Sequence, residues 1–401
     1  MTKLQNLPVC SIITTGRTGS DLLQSLMDSH PDVLTFNGHF LFQFFWRHSS
    51  CVAAEEYAAE DLIDEFIGKH IELLRSRYDI LERKHQLGEH GDQQIEIDLN
   101  QFRHDAAELL RDSEPSSRNT LLALYGAYGL GLGQDLESKK LLLHHPHHWE
   151  ELPATIADFP ESKVICMTRD PRANFVSGIE HHRVHNRWVD TDHAGHLFFY
   201  INRILYDALP LEAYDNDYKV VRIEDLGRKD ILQSLCGWLD ISYDECLNRS
   251  TWAGLTWRGD QLSKVNPDPG FSEAMLENQW QSRLGLIDIF VLNYIMSPRL
   301  KRYGYSQSRT RTLGLGLVLV PILILLPLSY ERRFWSPSYI LSRLRKGQIK
   351  TIAGNGTNYL RRIRTFLKFY VKTATGKKYE QPILTPEFDQ SPFPRAVEST
   401  R

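Results

Sequence analysis

The sequence is poor in cysteine and has no CxxC pair, which argues against a disulfide scaffold. Its 401 residues include five cysteines. Cys10 and Cys166 lie in apolar runs that predict buried strands, so we expect reduced, structural thiols. The first residues also lack an apolar stretch long enough for a signal peptide. We therefore expect the body of the protein to fold in the cytoplasm.

The chain also lacks an overall excess of positive charge. It carries 47 Lys and Arg against 50 Asp and Glu, a formal net charge of -3. The distribution is uneven, because residues 309–401 hold 17 basic and 5 acidic side chains. An acidic body argues against nucleic acid as a partner, since that partner requires a basic surface. The basic end of the chain predicts a separate task for that segment.

Short β-branched runs alternate with segments of helical periodicity. The pattern predicts a parallel central sheet with helices on both faces, an α/β fold. The predicted strands are Val9–Thr15, Val33–Phe36, Lys140–His144, Val164–Thr168 and Tyr218–Ile223. Residues 49–138 are predicted to form a helical insert. In such sheets the ligand lies beyond the carboxyl ends of the strands.

A glycine-bearing loop, TTGRTGS at residues 14–20, joins the first strand to the first helix. It lacks the Gly-Lys-Ser/Thr of a Walker A loop, which disfavours a magnesium-dependent ATPase. Free N–H groups at a helix start attract an anion, and an arginine adds a fixed charge. The alternative is an ordinary tight turn. The loop predicts a phosphate site formed by Gly16, Arg17, Thr18, Gly19 and Ser20.

A second charged turn follows the fourth predicted strand, in the run VICMTRDPR at residues 164–172. Arg169 stands at the strand end, and Ser177 follows eight residues later on the next helix. These two side chains are candidates for a second phosphate site. A structural ion pair between Arg169 and Asp170 is the alternative.

The two runs TTGRTGSDLLQSLMDSHPDV and VICMTRDPRANFVSG together resemble the donor-binding motifs of sulfotransferases that use 3′-phosphoadenosine 5′-phosphosulfate. The resemblance covers residues 9–305 and implies the P-loop-like sulfotransferase fold. It implies that Gly16–Ser20 hold the 5′-phosphosulfate and that Arg169 and Ser177 hold the 3′-phosphate. The run WRGDQLS resembles a late family turn and makes Arg258 a further candidate 3′-phosphate ligand.

Two positions depart from the family pattern. Asp21 stands where relatives commonly carry a small polar residue, so it places a negative charge beside the donor anion, or caps the helix. His144 stands where many relatives carry a lysine. We retain Asp21 among the donor-binding residues and His144 among the catalytic candidates.

The resemblance implies in-line transfer of a sulfuryl group to a hydroxyl or amine of a glycan or lipid-linked acceptor, with no metal required. Arg17 would stabilise charge on the leaving phosphate. A base must accept the acceptor's proton, and histidine suits neutral pH. His39 is the first choice and His144 and His145 are the alternatives. The run of histidines at 144–148 is also a possible metal site, although no acidic ligand stands beside it in the sequence.

The segment Thr312–Tyr330 has 19 residues without charge, just enough to span a bilayer, but prolines interrupt it. We expect a catalytic domain over 1–308 and a membrane-associating basic extension over 309–401. Residues 312–372 would then contact a membrane at its cytoplasmic face. A buried hydrophobic helix is the alternative.

The sequence is also compatible with two other functions. One is an ATP- and Mg²⁺-dependent kinase-like enzyme. The other is a membrane-tethered scaffold without catalytic activity.

Overall fold

The computed structural model describes residues 2–38, 40–54, 57–74, 87–95, 97–114, 116–188, 195–205, 216–259, 268–273, 280–305 and 310–376. Its centre is a sheet of five parallel strands in the order β2-β3-β1-β4-β5. The strands are β1 (Val9–Thr14), β2 (Val33–Thr35), β3 (Leu141–His148), β4 (Lys163–Thr168) and β5 (Tyr218–Arg222). The predicted fold class is confirmed.

Helices cover both faces of this sheet, and a short antiparallel hairpin of β6 (Thr251–Trp252) and β7 (Leu255–Thr256) lies outside it. The helices are α1 (Thr2–Gln5), α2 (Ser20–Met27), α3 (Phe42–Arg47), α4 (Ser50–Ala53), α5 (Ala59–Leu74), α6 (Leu99–Leu110), α7 (Ser117–Gly131), α8 (Leu152–Asp158), α9 (Pro171–Trp188), α10 (Gly195–Leu205), α11 (Lys229–Leu239), α12 (Trp280–Arg283), α13 (Leu286–Ile295), α14 (Ser297–Arg302), α15 (Thr310–Leu323), α16 (Pro337–Arg345) and α17 (Ile349–Ala374).

The strand order reverses direction at β1. From β1 the chain first builds β2 and β3 on one side, and then crosses to build β4 and β5 on the other. The carboxyl ends of β1, β3 and β4 therefore meet at a topological switch point, where open α/β sheets bind their ligands. The loops that carry the two predicted phosphate motifs both start there.

Alternate residues of β3 enter different apolar cores, as period-two side-chain alternation requires. Leu142 packs into the core that contains α7 and the helical insert. Leu141 and Leu143 pack against Leu22 and Leu26 of α2 in a separate core. Burial on both faces explains why the strands read as continuous apolar runs in the sequence.

The C-terminal helices α15 and α17 pack against the main body. They share one buried core with residues of α9, α10 and α13. The C-terminal part of the chain contributes Val320 of α15, Ile324 just after it, and Phe366 and Phe369 of α17. Arg362 of α17 is buried, pairs with Glu331 at 2.9 Å, and donates to the carbonyl oxygens of Ile324 and Leu326. The division of the chain at residue 308 stays a prediction.

Among the described residues, no helix combines the length and the apolar character needed to cross a membrane.

Candidate functional site

The loop after β1 is held in a left-handed backbone conformation. Gly16, Arg17 and Gly19 have φ values of 91°, 59° and 85°. Glycine adopts this region freely, whereas Arg17 does so only under constraint from its surroundings. The Gly16 N–H donates to Thr14 Oγ1 at 2.9 Å, and the hydroxyls of Thr14 and Thr18 lie 2.5 Å apart. The loop is therefore shaped by its own hydroxyls.

Gly19 is the N-cap of α2 and, as a glycine, has no side chain that could cap this helix start. Asp21 lies in the first turn, and a capping role for it stays a prediction. A Cβ at Gly19 would lie 2.5 Å from Ile223 Cδ1, so only glycine fits against the chain after β5. The N–H groups at this helix start are suited to an anion.

In the turn after β4, Asp170 is bonded to Arg172, a different arginine from the one considered in the sequence analysis. Asp170 accepts hydrogen bonds from the Arg172 backbone N–H, Nε and Nη2, at 2.9, 3.0 and 2.6 Å. This buried pair belongs to Asp170 and Arg172. Arg169 instead lies among Glu224, Arg17 and Tyr305. Burial lowers the pKa of Arg169, and the positive charge of Arg17 lowers it further, while Glu224 opposes the shift.

The two predicted phosphate motifs come together, and we call the place where they meet the cleft. Arg17 Nε donates to Ser177 Oγ at 3.3 Å, so the loop after β1 touches α9, which follows β4. Arg169 is close enough to Arg17 for their like charges to influence each other. Two guanidinium groups brought together at helix starts form a strongly anion-attracting cleft.

Glu224 supports the wall of this cleft. Its Oε1 accepts the Asp170 N–H at 3.0 Å, and its Oε2 accepts the Tyr305 hydroxyl at 2.9 Å. Burial raises the pKa of Glu224. The carboxyl group thus links the turn after β4 to the 3₁₀ turn after β5 and to Tyr305.

The end of β3 contains a bulge. Ser11 pairs with His144 and Ile13 pairs with His147, so β3 carries one extra residue opposite β1. His147 has a φ of 62°. The bulge places His147 Nδ1 3.2 Å from His145 Nε2. Bulges commonly re-aim a side chain next to a functional site.

Hydrogen bonds from α2 assign the proton positions on these two rings. Gln24 Nε2 donates to Thr35 Oγ1, to the Phe36 carbonyl and to the Gly38 carbonyl. Its Oε1 therefore faces His145 Nδ1, at 2.7 Å, and that nitrogen carries the proton. His145 Nε2 then accepts from His147 Nδ1, and His147 Nε2 keeps its lone pair.

Asp21 completes this group at the start of α2. Its Oδ1 lies 3.7 Å from His145 Nδ1, so a proton taken up by the pair would meet a nearby negative charge. Asp21, His145 and His147 also offer three ligand atoms within 4.8 Å of one another. Two imidazoles and a carboxylate are donors that transition metals accept. The absence of a metal from the reaction stays a prediction.

The other predicted site residues have different surroundings. His144 is fully buried, its Nδ1 bonds the Tyr125 hydroxyl at 2.8 Å, and burial lowers its pKa to about 3. His39 lies outside the described residues. Arg258 Nη2 donates to the Glu89 carbonyl at 3.2 Å. Their roles in catalysis and donor binding stay predictions.

Sequence reasoning missed three contributors to the site. Gln24 lies on an amphipathic helix, and nothing in the sequence indicates that its amide bonds the chain at the end of β2. His147 was grouped only with a possible metal site, because Pro146 hides the bulge. Glu224, in the run RIEDL, received no role from the sequence; its position directly after a strand end was the available signal.

A protein-family comparison covers this same part of the chain. Residues 8–245 match the model described as "Sulfotransferase family", and both phosphate motifs and the histidine pair fall inside that range. No curated protein matches the sequence.

Two solved structures are similar. One is the sulfotransferase domain from the Synechococcus PCC 7002 olefin synthase, at 16% identity, 69% coverage of this chain, 87% of that chain and a TM-score of 0.36. The other is the sulfotransferase domain from the curacin biosynthetic pathway, at 15% identity, 75% and 99% coverage, and a TM-score of 0.44. The family match spans more than half of the chain, and the chain belongs to the sulfotransferase family.

Proposed function

We propose that the protein transfers a sulfuryl group from 3′-phosphoadenosine 5′-phosphosulfate to an acceptor hydroxyl. The contact that supports this most directly is the one between Arg17 and Ser177. It brings the loop after β1 against α9, the helix that follows the second motif, as a nucleotide with phosphate at both its 3′ and 5′ positions requires. A nucleoside triphosphate carries its phosphates in a single chain and needs one such site.

The residues of the cleft divide the donor between them. The loop Gly16–Ser20 would hold the 5′-phosphosulfate through the N–H groups at the start of α2, and Arg169 with Ser177 would hold the 3′-phosphate. Arg17 stands between them and would stabilise the charge that grows on the 5′-phosphate as it leaves. Such preorganised charge commonly accelerates a reaction more than any other single feature of an active site.

The transfer itself exchanges one S–O bond for another. The acceptor oxygen forms a bond to sulfur, while the bond from sulfur to the 5′-phosphate oxygen breaks. The products are a sulfate ester and adenosine 3′,5′-bisphosphate. The acceptor's proton passes to His147 Nε2, because the bonds from Gln24 through His145 leave the lone pair there. Asp21 stabilises the resulting positive charge on the pair. A base of this kind contributes about 10²–10⁴-fold.

We propose a glycan or a lipid-linked molecule as the acceptor. The apolar and basic C-terminal helices belong to the same packed body as the cleft, since α17 contacts α10 and α10 contacts α9, which carries Ser177. A protein that binds a membrane through these helices would thus bring its cleft close to an acceptor held at the membrane surface.

Ligand-induced thermal stabilisation tests the donor. At 100 times its dissociation constant, adenosine 3′,5′-bisphosphate should raise the free energy of unfolding by about 2.7 kcal/mol. Arg169→Ala should lose most of this response, whereas Arg103→Ala, on the exposed face of α6, should keep it. Stabilisation by ATP with Mg²⁺ alone would indicate a kinase-like enzyme, and no response to either would indicate a scaffold.

Transfer of label from the ³⁵S donor tests the acceptor. Product in a lipid extract, or in a glycan fraction, would support the proposal. Label that reaches only small soluble alcohols or amines would contradict it.

A further inference from the structure

Between residues 314 and 323, helix α15 is apolar on every side, and only one narrow stripe of this part is buried. Gly316, Val320 and Ile324, spaced four residues apart, face the body. Exposed apolar side chains of α15 and of the turn after it form a ridge, which we define as Leu315, Leu317, Val318, Ile322, Leu325 and Leu326, with exposed fractions of 43–66%. Helices that are apolar all round are normally covered, and large exposed apolar patches mark interaction sites.

Helix α17 runs antiparallel beside this ridge. The Tyr359 hydroxyl donates to the Leu325 carbonyl at 2.5 Å, and the Tyr370 hydroxyl donates to the Leu317 carbonyl at 2.7 Å. The two tyrosines are eleven residues apart on α17 and reach carbonyls eight residues apart near α15. The two segments are therefore fixed side by side.

The charge on this part of the molecule has one sign. Residues 310–376 contain twelve Lys and Arg and a single acidic residue, Glu331. Glu331 is buried and paired with Arg362, so it does not offset the surface charge. The exposed stripe of α17 carries Arg361, Arg364 and Lys368.

We propose that the apolar ridge and the exposed stripe of α17 together dock on an anionic lipid bilayer, with α15 lying in the plane of the interface. An apolar strip flanked by basic side chains is the pattern of interfacial helices. A protein partner that covered the ridge would need a matching acidic rim, whereas an anionic bilayer supplies both the apolar layer and the negative surface. The proposal does not depend on the transfer chemistry.

Vesicle co-sedimentation of the full chain tests the proposal. The wild-type protein should pellet with vesicles of phosphatidylcholine and phosphatidylglycerol, and less so with phosphatidylcholine alone or in high salt. The variant Val318→Ser/Ile322→Ser/Leu325→Ser should stay in the supernatant. The matched control Leu130→Ser, which changes an exposed leucine on α7 (41% exposed), should pellet like the wild type.

A second variant tests the role of charge. Arg361→Gln/Arg364→Gln/Lys368→Gln should weaken binding to anionic vesicles by about fivefold per charge, on the order of 100-fold in total. Unaltered melting temperatures and bisphosphate responses would show that these variants are folded.

Three results would overturn the proposal. The first is that the wild-type protein remains in the supernatant with anionic vesicles. The second is that the ridge variant pellets as well as the Leu130→Ser control. The third is that the wild type is a dimer and the ridge variant a monomer, while neither binds vesicles. The ridge would then be an interface between two copies of the chain.

Discussion

His144 and His145 are neighbours on β3, but their side chains enter different regions of the molecule. On the core face, His144 bonds Tyr125 and stacks edge-on against Phe40. On the cleft face, His145 lies between Gln24 and His147, with Asp21 nearby. Both rings are buried. From this difference we infer that its partners, rather than its burial, decide whether a histidine packs in the core or handles a proton.

Substitutions on the two faces of β3 should therefore have different effects. Substitutions on the cleft face should reduce turnover or donor binding and leave stability nearly unchanged. Substitutions on the core face should reduce stability and leave the turnover of folded molecules unchanged.

The largest effect is expected on the cleft face. His147→Asn should lower kcat by about 10²–10⁴-fold, because the base is lost. Asparagine tolerates the left-handed backbone at this position, so the bulge should survive. Steady-state rates with labelled donor measure the change, and His104→Asn, exposed on α6, serves as the control. Full activity in His147→Asn would return the role to His39.

A second substitution removes a charge from the same cleft. Arg17→Asn should weaken binding of adenosine 3′,5′-bisphosphate by about 10–100-fold, the value of one or two charge-assisted hydrogen bonds. Titration calorimetry measures the affinity, and the melting temperature without ligand should stay unchanged. A large loss of stability without ligand would show that Arg17 is a structural residue.

The core face should respond in the opposite way. Tyr125→Phe removes the hydroxyl that bonds His144 Nδ1 and leaves a buried ring nitrogen without that partner. The free energy of unfolding should fall by about 1–3 kcal/mol, as measured by urea denaturation. Turnover per folded molecule should not change, and a selective loss of turnover would instead support the catalytic role predicted for His144.

The last difference concerns pH dependence. Burial lowers the pKa of His144 from 6.5 to about 3, so the unfolded chain takes up this proton first as pH falls. Stability is therefore lost between pH 6.5 and 3, by about 1.4 kcal/mol per pH unit. His144→Gln should lack this part of the slope in urea denaturation at several pH values. Identical slopes in both proteins would contradict the buried neutral ring.

Local patterns predicted most of the sheet. Four of the five strands match the β-branched runs closely, because buried parallel strands are apolar on both faces and need no long-range information to be recognised. β3 is the exception, since it continues to His148, beyond the predicted end at His144. Proline and four histidines do not look like a strand, and the bulge that accommodates them depends on pairing with β1.

The site was predictable where a single loop defines it. Arg17 and Arg169 follow strand ends and Ser177 lies on the helix after Arg169, and the topology of a parallel sheet brings such positions together. The link from Gln24 to His145 was not predictable, because its three acceptors lie eleven to fourteen residues further along the chain. The bonds from Arg172 to Asp170 were not considered from the sequence, since sequence adjacency does not determine side-chain direction.

The buried pair of Arg362 and Glu331 has a consequence for how the enzyme would meet its acceptor. Arg362 ties α17 to the end of α15, and both helices share a core with α9, so this segment is no tether of adjustable length. A molecule resting on a bilayer through these helices would keep one orientation, with its catalytic opening at a constant height above the lipid head groups. The reach of the enzyme would then be set by the dimensions of the body, and only acceptors of a matching length would be modified.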